Sequence, residues 1–273
     1  MLKTCVIIAS HIPSHYKMYI GEDLLNRIKL KMPYADIIVG INPSEVQEDW
    51  INIVKQYTDT YAITPDHLII NSDASAYQTG LRLYKENKKT YDAVWFLHTQ
   101  GTRSEFHWQR ELNYKNLLES VEQILNTLSF PSIGAFASCL APGPWIDDVY
   151  PCNADKITDR FDKYGKFKYT NFRYLTLGAM YVLKGEVLDQ ILNYTTDELL
   201  NGSLWVYENS DKTRGDRWFF ERDFITLVYK LGYVVFTASL NNQYQIPMSV
   251  TWLDYYKEKV HDWILTNNFY GKI

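Results

Sequence analysis

Short apolar runs that alternate with helical patterns are the feature that most constrains the fold of this chain. Thr4–Ser10 has the composition of a strand, and residues 17–31 place Ile20, Leu24 and Ile28 at four-residue spacing, as in a helix with one buried face. The alternation continues over the first hundred residues and is typical of βαβ units around a parallel sheet. We therefore expect an α/β fold with a mostly parallel central sheet flanked by helices.

The same patterns predict the remaining elements. Ser44 and Gln47 have the spacing of a capping box, which predicts a helix from Ser44 to about residue 57. Ser72 or Asp73 can cap the next helix, which presents Tyr77 on its apolar face. Further strands are expected over residues 35–41, 67–70, 91–98, 132–139, 174–183 and 233–238, and further helices over 106–128, 186–192 and 218–231, with a loop-rich insertion over 151–174.

The strand predicted at residues 91–98 carries the first functional signal. Its apolar core runs without interruption from Ala93 to Leu97, as expected for a central strand covered on both faces, and it stops at His98-Thr99-Gln100-Gly101. Open α/β sheets bind ligands at the carboxyl ends of such strands, so we expect a ligand here. The alternative is that these polar residues only end a buried strand.

Composition excludes several classes of protein. Lys and Arg total 28 against 32 Asp and Glu, a net charge of −4, so the basic excess that nucleic-acid binding requires is missing. Cys5, Cys139 and Cys152 are odd in number and widely spaced, which argues against a disulfide framework or a zinc site. No apolar run has signal-peptide or transmembrane length. We therefore expect a cytoplasmic protein without a transmembrane segment.

Several enzyme classes are excluded by the motifs that their chemistry demands. No G-x-G occurs, so a dinucleotide-binding loop is not expected, and neither a Walker loop nor a G-x-S-x-G elbow is present. His11 and His15 have the spacing of a helical metal pair, but Pro13 lies between them and disfavours a continuous helix. We therefore predict no metal site from this pair.

Longer segments resemble a known family. Residues 71–80 followed by residues 91–100 are similar to the nucleotide-sugar half of GT-A fold glycosyltransferases. Residues 177–188 look like the acceptor-side strand and helix of these enzymes, and residues 218–224 look like their late acidic helix. The resemblance is to bacterial-type polysaccharide glycosyltransferases of the rhamnan-synthesis group, which carry His-Thr-Lys-Gly or a similar motif where other members carry Asp-x-Asp. This chain has His98-Thr99-Gln100-Gly101 there.

This resemblance implies a single GT-A-like, Rossmann-like domain over residues 1–273. About residues 1–105 would form the nucleotide-sugar half and about 106–240 the acceptor half, with 241–273 as a C-terminal extension. The implied activity is hexosyl or deoxyhexosyl transfer from a nucleoside diphosphate sugar to a carbohydrate acceptor in polysaccharide biosynthesis. The residues implied to bind the donor are Ser10, His11, Asn42, Asp73, His98, Thr99, Gln100, Gly101 and Arg103. Asp73 has a second interpretation as a helix cap.

The absence of Asp-x-Asp bears on metal dependence. Those carboxylates hold a divalent cation against the leaving diphosphate, and Mg²⁺ or Mn²⁺ prefers oxygen ligands that His98 and Gln100 do not supply as anions. We therefore expect weak or no metal dependence and predict no cofactor, with Mn²⁺ or Mg²⁺ left open. Preorganised donors such as His98, Thr99, Arg103 and the Gly101 amide would then stabilise the leaving phosphate.

We expect transfer with inversion, and an inverting transferase needs a carboxylate general base beside the acceptor hydroxyl. Glu221 and Asp223 lie among aromatic residues that would raise a carboxyl pKa if the group is desolvated. The resemblance favours Glu221 as the base, with Asp223 as the second candidate. The competing interpretation is ordinary charge at the beginning of a helix.

Acceptor contacts are expected in the second half of the chain. Trp145 with Asp147 and Asp148 combines an aromatic face with acids, as sugar-binding sites do, although a solvated loop has the same composition. Gly178 would let an acceptor sugar approach closely, or would serve a tight strand contact. A glycosyltransferase is thus the leading hypothesis. The alternatives are a non-catalytic nucleotide- or sugar-binding module and an assembly protein with an exposed aromatic surface.

Overall fold

The computed structural model describes residues 2–65, 73–99, 107–138, 140–142, 174–176, 179–201, 220 and 224–238. The chain divides into two compact units, Met1–Ala238 and Ser239–Ile273. All of the described residues belong to the first unit. The predicted C-terminal extension, 241–273, and residues 151–173 of the insertion predicted over 151–174 lie outside the described residues, whereas Tyr174 is described.

A seven-stranded sheet forms the centre of the first unit, and two short strands pair separately within the described ranges. The strands are β1 Thr4–Ser10, β2 Asp36–Ile41, β3 Tyr61–Ile63, β4 Ala93–His98, β5 Ile133–Ala137, β6 Leu140–Pro142, β7 Tyr174–Thr176, β8 Tyr181–Lys184 and β9 Val234–Thr237. The order across the large sheet is β3-β2-β1-β4-β8-β5-β9, and β6 pairs with β7.

Most neighbours in the large sheet are parallel. β1 lies parallel to both β2 and β4, β2 is parallel to β3, and β5 is parallel to β9. β8 is antiparallel to β4 and to β5. The chain builds outward from β1 to β3 and then crosses to β4 on the other side of β1. In open α/β sheets such a reversal marks the edge, outside the carboxyl ends of β1 and β4, where ligands bind.

Helices cover both faces of the sheet. They are α1 Met18–Lys31, α2 Gln47–Val54, α3 Asp73–Glu86, α4 His107–Leu118, α5 Val121–Leu128, α6 Gly185–Asn201 and α7 Phe224–Lys230, and a 3₁₀ turn, His15–Lys17, precedes α1. The predicted α/β architecture with a mostly parallel sheet between helices is confirmed.

Successive side chains along each strand face opposite sides of the sheet, so they belong to two separate core layers. Val6 and Trp95 face a core shared with Leu24 of α1, Trp50 of α2 and Leu117 of α4. The Trp95 indole N–H also donates to the Leu117 carbonyl at 3.0 Å. The first layer is therefore built from α1, α2, α4 and α5.

Aromatic rings dominate the second layer, under α3, α6 and α7. Phe96 of β4 lies 5.6 Å from the ring of Tyr77, 5.1 Å from that of Tyr181 and 5.5 Å from that of Phe224, measured between ring centroids. All four side chains are buried. Part of the high aromatic content of the sequence is therefore core packing on this face.

Helix α3 packs unusually close to the sheet. A Cβ added at Gly40 of β2 would lie 1.9 Å from the Ala76 carbonyl oxygen and 3.1 Å from the Gly80 amide nitrogen. Only a residue without a side chain permits this approach. All residues from Ala74 to Leu81 are buried, so α3 is covered on every side over two turns.

Several predicted boundaries differ from those observed. The predicted capping box is wrong: α2 begins at Gln47 after Val46, no side chain caps it, and Ser44 offers only its carbonyl to the Gln47 amide at 3.2 Å. The third strand of the sheet is Tyr61–Ile63, a short edge strand without the alternation that sequence patterns detect, whereas residues 67–70 lie outside the described residues.

The second half also contains more breaks than predicted. The single helix expected over 106–128 is two helices, because the chain turns at residues 119–120. The single strand expected over 174–183 is divided between β7 and β8, which belong to different sheets. The predicted end of the last helix is confirmed, since α7 stops before Gly232, which has a φ of +89°.

Candidate functional site

The polar ends of β1, β2 and β4 meet at one edge of the sheet. Ala9 pairs with His98 in the parallel register, and the Thr99 amide donates to the Ala9 carbonyl at 3.1 Å. The Asn42 amide donates to the Ser10 carbonyl at 2.8 Å on the other side. The structure therefore brings together Ser10, Asn42 and His98, which the sequence placed at three separate strand ends.

Thr99 ties the residues that follow β1 and β4. Its hydroxyl oxygen accepts a hydrogen bond from the His11 amide at 3.0 Å, and the same hydroxyl donates to the His11 carbonyl at 3.3 Å. Both bonds join residues 88 positions apart in the sequence. The side chain of Thr99 thus fixes the backbone of His11 beside the end of β4.

Asp73 stands at the beginning of α3 and faces the end of β4. Its Oδ2 lies 3.4 Å from Nδ1 of His98, which is longer than an ordinary hydrogen bond. The His98 side chain is 2% exposed and that of Asp73 is 28% exposed. The carboxylate therefore reaches solvent while the imidazole lies beneath it.

His11 shares this environment. Burial lowers the pKa of His11 below its ordinary value, and the negative charge of Asp73 opposes that shift. The His11 Nδ1 is buried and has no hydrogen-bond partner among the described residues. Among the described residues this nitrogen therefore has an unused hydrogen-bonding position.

His98 is held from two further sides. Its backbone carbonyl accepts a hydrogen bond from the Tyr114 hydroxyl of α4 at 3.0 Å. Its ring meets that of Tyr77 edge to face, with centroids 6.2 Å apart at 75°. The backbone of His98 is therefore held from one layer and its ring packs against the other, which is the kind of support that a binding side chain needs.

A network of hydrogen bonds between buried polar side chains lies under the site, and the sequence patterns did not predict this network. The Ser75 hydroxyl donates to Asn42 Oδ1 at 3.0 Å, and the Thr79 hydroxyl lies 3.0 Å from the Ser75 carbonyl and 3.2 Å from the Thr64 hydroxyl. All four residues are buried. Ser75 and Thr79 have helical i, i+4 spacing, which is the one signal the sequence offered, but that spacing is equally typical of a solvent-exposed face.

Ser10 is the other buried polar group at this edge. Its side chain is fully buried, and its hydroxyl has no hydrogen-bond partner among the residues that the structure describes. Buried hydroxyls are normally paired with protein or water. Ser10 therefore offers an unused donor and acceptor at the end of β1.

The second set of predicted site residues falls outside the described residues. It comprises the remaining donor-binding candidates, the acceptor-binding candidates and both candidate bases: Gln100, Gly101, Arg103, Trp145, Asp147, Asp148, Gly178, Glu221 and Asp223. Their immediate neighbours Thr99, Ala179 and Phe220 are described and are all buried.

Metal ligands and the histidine pair can be compared with the expectations. Across the described ranges no group of three His, Cys, Asp or Glu side chains is placed to hold a metal ion. His15 Nε2 lies 2.8 Å from Asp49 Oδ2 at the surface, so this histidine joins the turn before α1 to α2.

No helix in the described part of the chain is both long enough and apolar enough to cross a bilayer.

Comparisons with known proteins add no assignment. A scan against protein-family models finds no matching family, and a search of curated proteins finds no match.

The described residues at this edge of the sheet provide both hydrogen-bond donors and a hydrogen-bond acceptor. The His11 and His98 imidazoles can donate to anionic oxygens, whereas the Asp73 carboxylate accepts hydrogen bonds. A ligand with hydroxyl groups at one end and phosphates at the other would satisfy both kinds.

Proposed function

We propose that this protein is a glycosyltransferase that moves a sugar from a nucleoside diphosphate sugar to a carbohydrate acceptor. The observation that carries the proposal is the joining of His11, Asn42, Asp73 and His98 at the carboxyl edge of β1, β2 and β4. Crevices at this position of open α/β sheets bind nucleotides. The resemblance of residues 71–80, 91–100 and 177–188 to GT-A fold enzymes supplies the reaction class.

The donor is proposed to lie across this crevice. Asp73 would accept hydrogen bonds from hydroxyl groups of the nucleotide, because its carboxylate is partly exposed while its neighbour His98 is buried. The imidazole of His11 would face phosphate oxygens, with the Gly101 amide and Arg103 as further hydrogen-bond donors, and the buried His98 imidazole would support the Asp73 carboxylate. Such fixed donors stabilise a leaving diphosphate without a tightly bound cation.

The proposed reaction is a single displacement with inversion. The acceptor hydroxyl oxygen attacks the anomeric carbon, the bond from that carbon to the diphosphate oxygen breaks, and the bond electrons leave with the nucleoside diphosphate. Glu221 takes the proton of the acceptor hydroxyl, with Asp223 as the second candidate for this role. Weak or absent metal dependence belongs to the same proposal.

Nucleotide binding is the first step to test. Titration calorimetry with UDP, GDP, CDP and dTDP should detect one diphosphate with micromolar to millimolar affinity in the wild type. His98→Gln and Asp73→Asn should each weaken it tenfold or more, because Asp73 would contact the ligand and the buried His98 ring lies directly beside the Asp73 carboxylate. Asp59→Asn changes an exposed aspartate away from this edge and serves as the matched control.

Turnover is the second step. The wild type should transfer or hydrolyse the sugar of a nucleotide donor that carries the bound base, and should do so in chelator. Glu221→Gln should lower kcat by orders of magnitude and leave diphosphate affinity unchanged, whereas Glu186→Gln, an exposed residue of α6, should lower neither. No binding of any diphosphate and no turnover of any donor would overturn the proposal.

A second candidate function is a binding module without catalysis. The sequence favours it at one point, the absence of any Asp-x-Asp. This candidate predicts diphosphate binding that His98→Gln abolishes, together with no turnover by the wild type. A large loss of kcat in Glu221→Gln excludes it.

A further inference from the structure

Tyr77 connects two distant parts of the chain through its hydroxyl. It lies on α3, is fully buried, and donates a hydrogen bond to the Ala179 carbonyl at 2.9 Å, across 102 residues of sequence. Ala179 directly precedes Met180 and strand β8, and it directly follows Gly178. The bond therefore joins the helix that begins at the candidate donor edge to the segment assigned to the acceptor.

The backbone at Ala179 is the reason this bond matters. Its φ is +50°, in the left-handed region that favours glycine and is unfavourable for alanine. Such a conformation persists only where the surroundings hold it, and it is common at functional sites. The Tyr77 hydroxyl, placed on the carbonyl of that same residue, provides such a hold.

Besides packing on Phe96, the ring of Tyr77 contacts two residues close to the proposed site. It meets the His98 ring edge to face at 6.2 Å and lies 5.1 Å from the ring of Phe220, measured between centroids. Phe220 is buried and directly precedes Glu221. One rigid side chain thus touches the donor-side histidine, the residue beside the proposed base, and the strained backbone at Ala179.

We propose that Tyr77 is a positioning residue that holds the Ala179 backbone in register with His98, so that the acceptor segment is aligned with the bound donor. This inference rests on the proposed glycosyltransferase function. Displacement requires the reacting atoms to lie within about 3.5 Å in line, and small misplacements are costly in rate. Tyr77 would act on kcat and on acceptor use without contacting either substrate.

The chain offers a matched control on the same helix. Tyr84 of α3 is also buried, and its hydroxyl donates to Asp189 Oδ1 of α6 at 3.0 Å. Tyr77→Phe and Tyr84→Phe therefore remove one hydroxyl each from comparable long-range hydrogen bonds between α3 and the second half. Only the first of these bonds reaches a strained backbone next to Gly178.

The experiment compares the two variants with the wild type. Tyr77→Phe should lower kcat about tenfold or more and leave the affinity for the nucleoside diphosphate within twofold, whereas Tyr84→Phe should keep kcat within twofold. Hydrogen–deuterium exchange should become faster across residues 179–184 in Tyr77→Phe and stay unchanged there in Tyr84→Phe. The exchange measurement reports on positioning independently of turnover.

A second comparison uses the strained residue. In the Ala179→Gly background the left-handed conformation costs little, so removing the Tyr77 hydroxyl should lower kcat by less than it does beside alanine. This pair of variants also gives a result if Tyr77→Phe alone does not fold.

The outcomes separate the two proposals. Wild-type turnover together with equal kcat and equal exchange in Tyr77→Phe and Tyr84→Phe would overturn the role of Tyr77 and leave the proposed function intact. No binding of a diphosphate and no turnover by the wild type would overturn the proposed function and the role of Tyr77 with it.

Discussion

Replacing Gly40 with alanine should destabilise the protein through the contact between β2 and α3. The added Cβ would lie 1.9 Å from the Ala76 carbonyl oxygen, and real Cβ atoms essentially never come within 3.0 Å of such a neighbour. The two backbones must therefore separate by at least 3.0 − 1.9 = 1.1 Å. Because the obstacle is helix backbone and not the end of a flexible side chain, no rotamer change relieves it.

The magnitude follows from three contributions. Overpacking of this kind costs about 1–3 kcal/mol. Separation of α3 from β2 also stretches the 3.0 Å bond between Ser75 and Asn42, which contributes roughly 1 kcal/mol. Alanine reduces the entropy of the unfolded chain and offsets about 0.4–1 kcal/mol. The free energy of unfolding should fall by about 1–4 kcal/mol, centred slightly above 2 kcal/mol, which is a large part of the usual ~5–15 kcal/mol.

Urea denaturation followed by circular dichroism measures this loss. With a slope of ~2–3 kcal/mol/M the midpoint should fall by about 1 M. Gly232→Ala is the control, since an added Cβ there meets nothing within 4 Å and only the φ of +89° opposes it, for about 1–2 kcal/mol. A loss below about 0.5 kcal/mol in Gly40→Ala would show that α3 and β2 are not in this contact, and the reasoning would be refuted.

Three further predictions concern single side chains, two at the site and one near the amino end of β1. Thr99→Val removes both hydrogen bonds to the His11 backbone, so the free energy of unfolding should fall by about 1–3 kcal/mol and the affinity for the diphosphate should weaken. Thr58→Val also loses a hydrogen bond from a hydroxyl to the backbone, but it should affect stability alone. The pKa of His11 is lowered in the folded state, so below about pH 6.5 the unfolded state binds more protons than the folded state. The stability of the wild type should therefore fall more steeply with decreasing pH than the stability of His11→Gln. Equal urea midpoints of the two proteins across pH 5–7 would contradict this. Burial raises the pKa of the Cys5 thiol well above its usual range, so iodoacetamide should label Cys5 in urea but not in buffer. Mass spectrometry measures the labelling, and labelling of Cys5 in the folded protein would count against a buried strand at this position.

Much of the first half of the fold could be predicted from local pattern. The bounds of β1 and the positions of β2, β4, α1 and α3 follow from period-2 or continuous apolar runs and from four-residue spacing. These signals survive because each strand is buried on both faces and each helix must bury a stripe. The short edge strand β3 carries no such signal, because it has three residues and none of them is fully buried.

The candidate site was partly predictable for a related reason. A polar residue that directly ends an apolar strand is visible in the sequence, and His98 was identified in that way, whereas Ser10 and Asn42 were implied by the family resemblance. Ser75, Thr79 and Thr64 were missed because polar residues on a helix are usually solvent-exposed. Their burial depends on the close approach of α3 to β2 at Gly40, which no local pattern reports.

By itself, the sequence determined the fold class, the position of the central strand and the polar character of its carboxyl end, because periodicity and burial are encoded within a few consecutive residues. Only the tertiary structure decided that β8 runs antiparallel between β4 and β5, that Asp73 faces His98, and that Tyr77 reaches Ala179. These features join residues 25 to 102 positions apart, and such pairings are set by the packing of the whole unit.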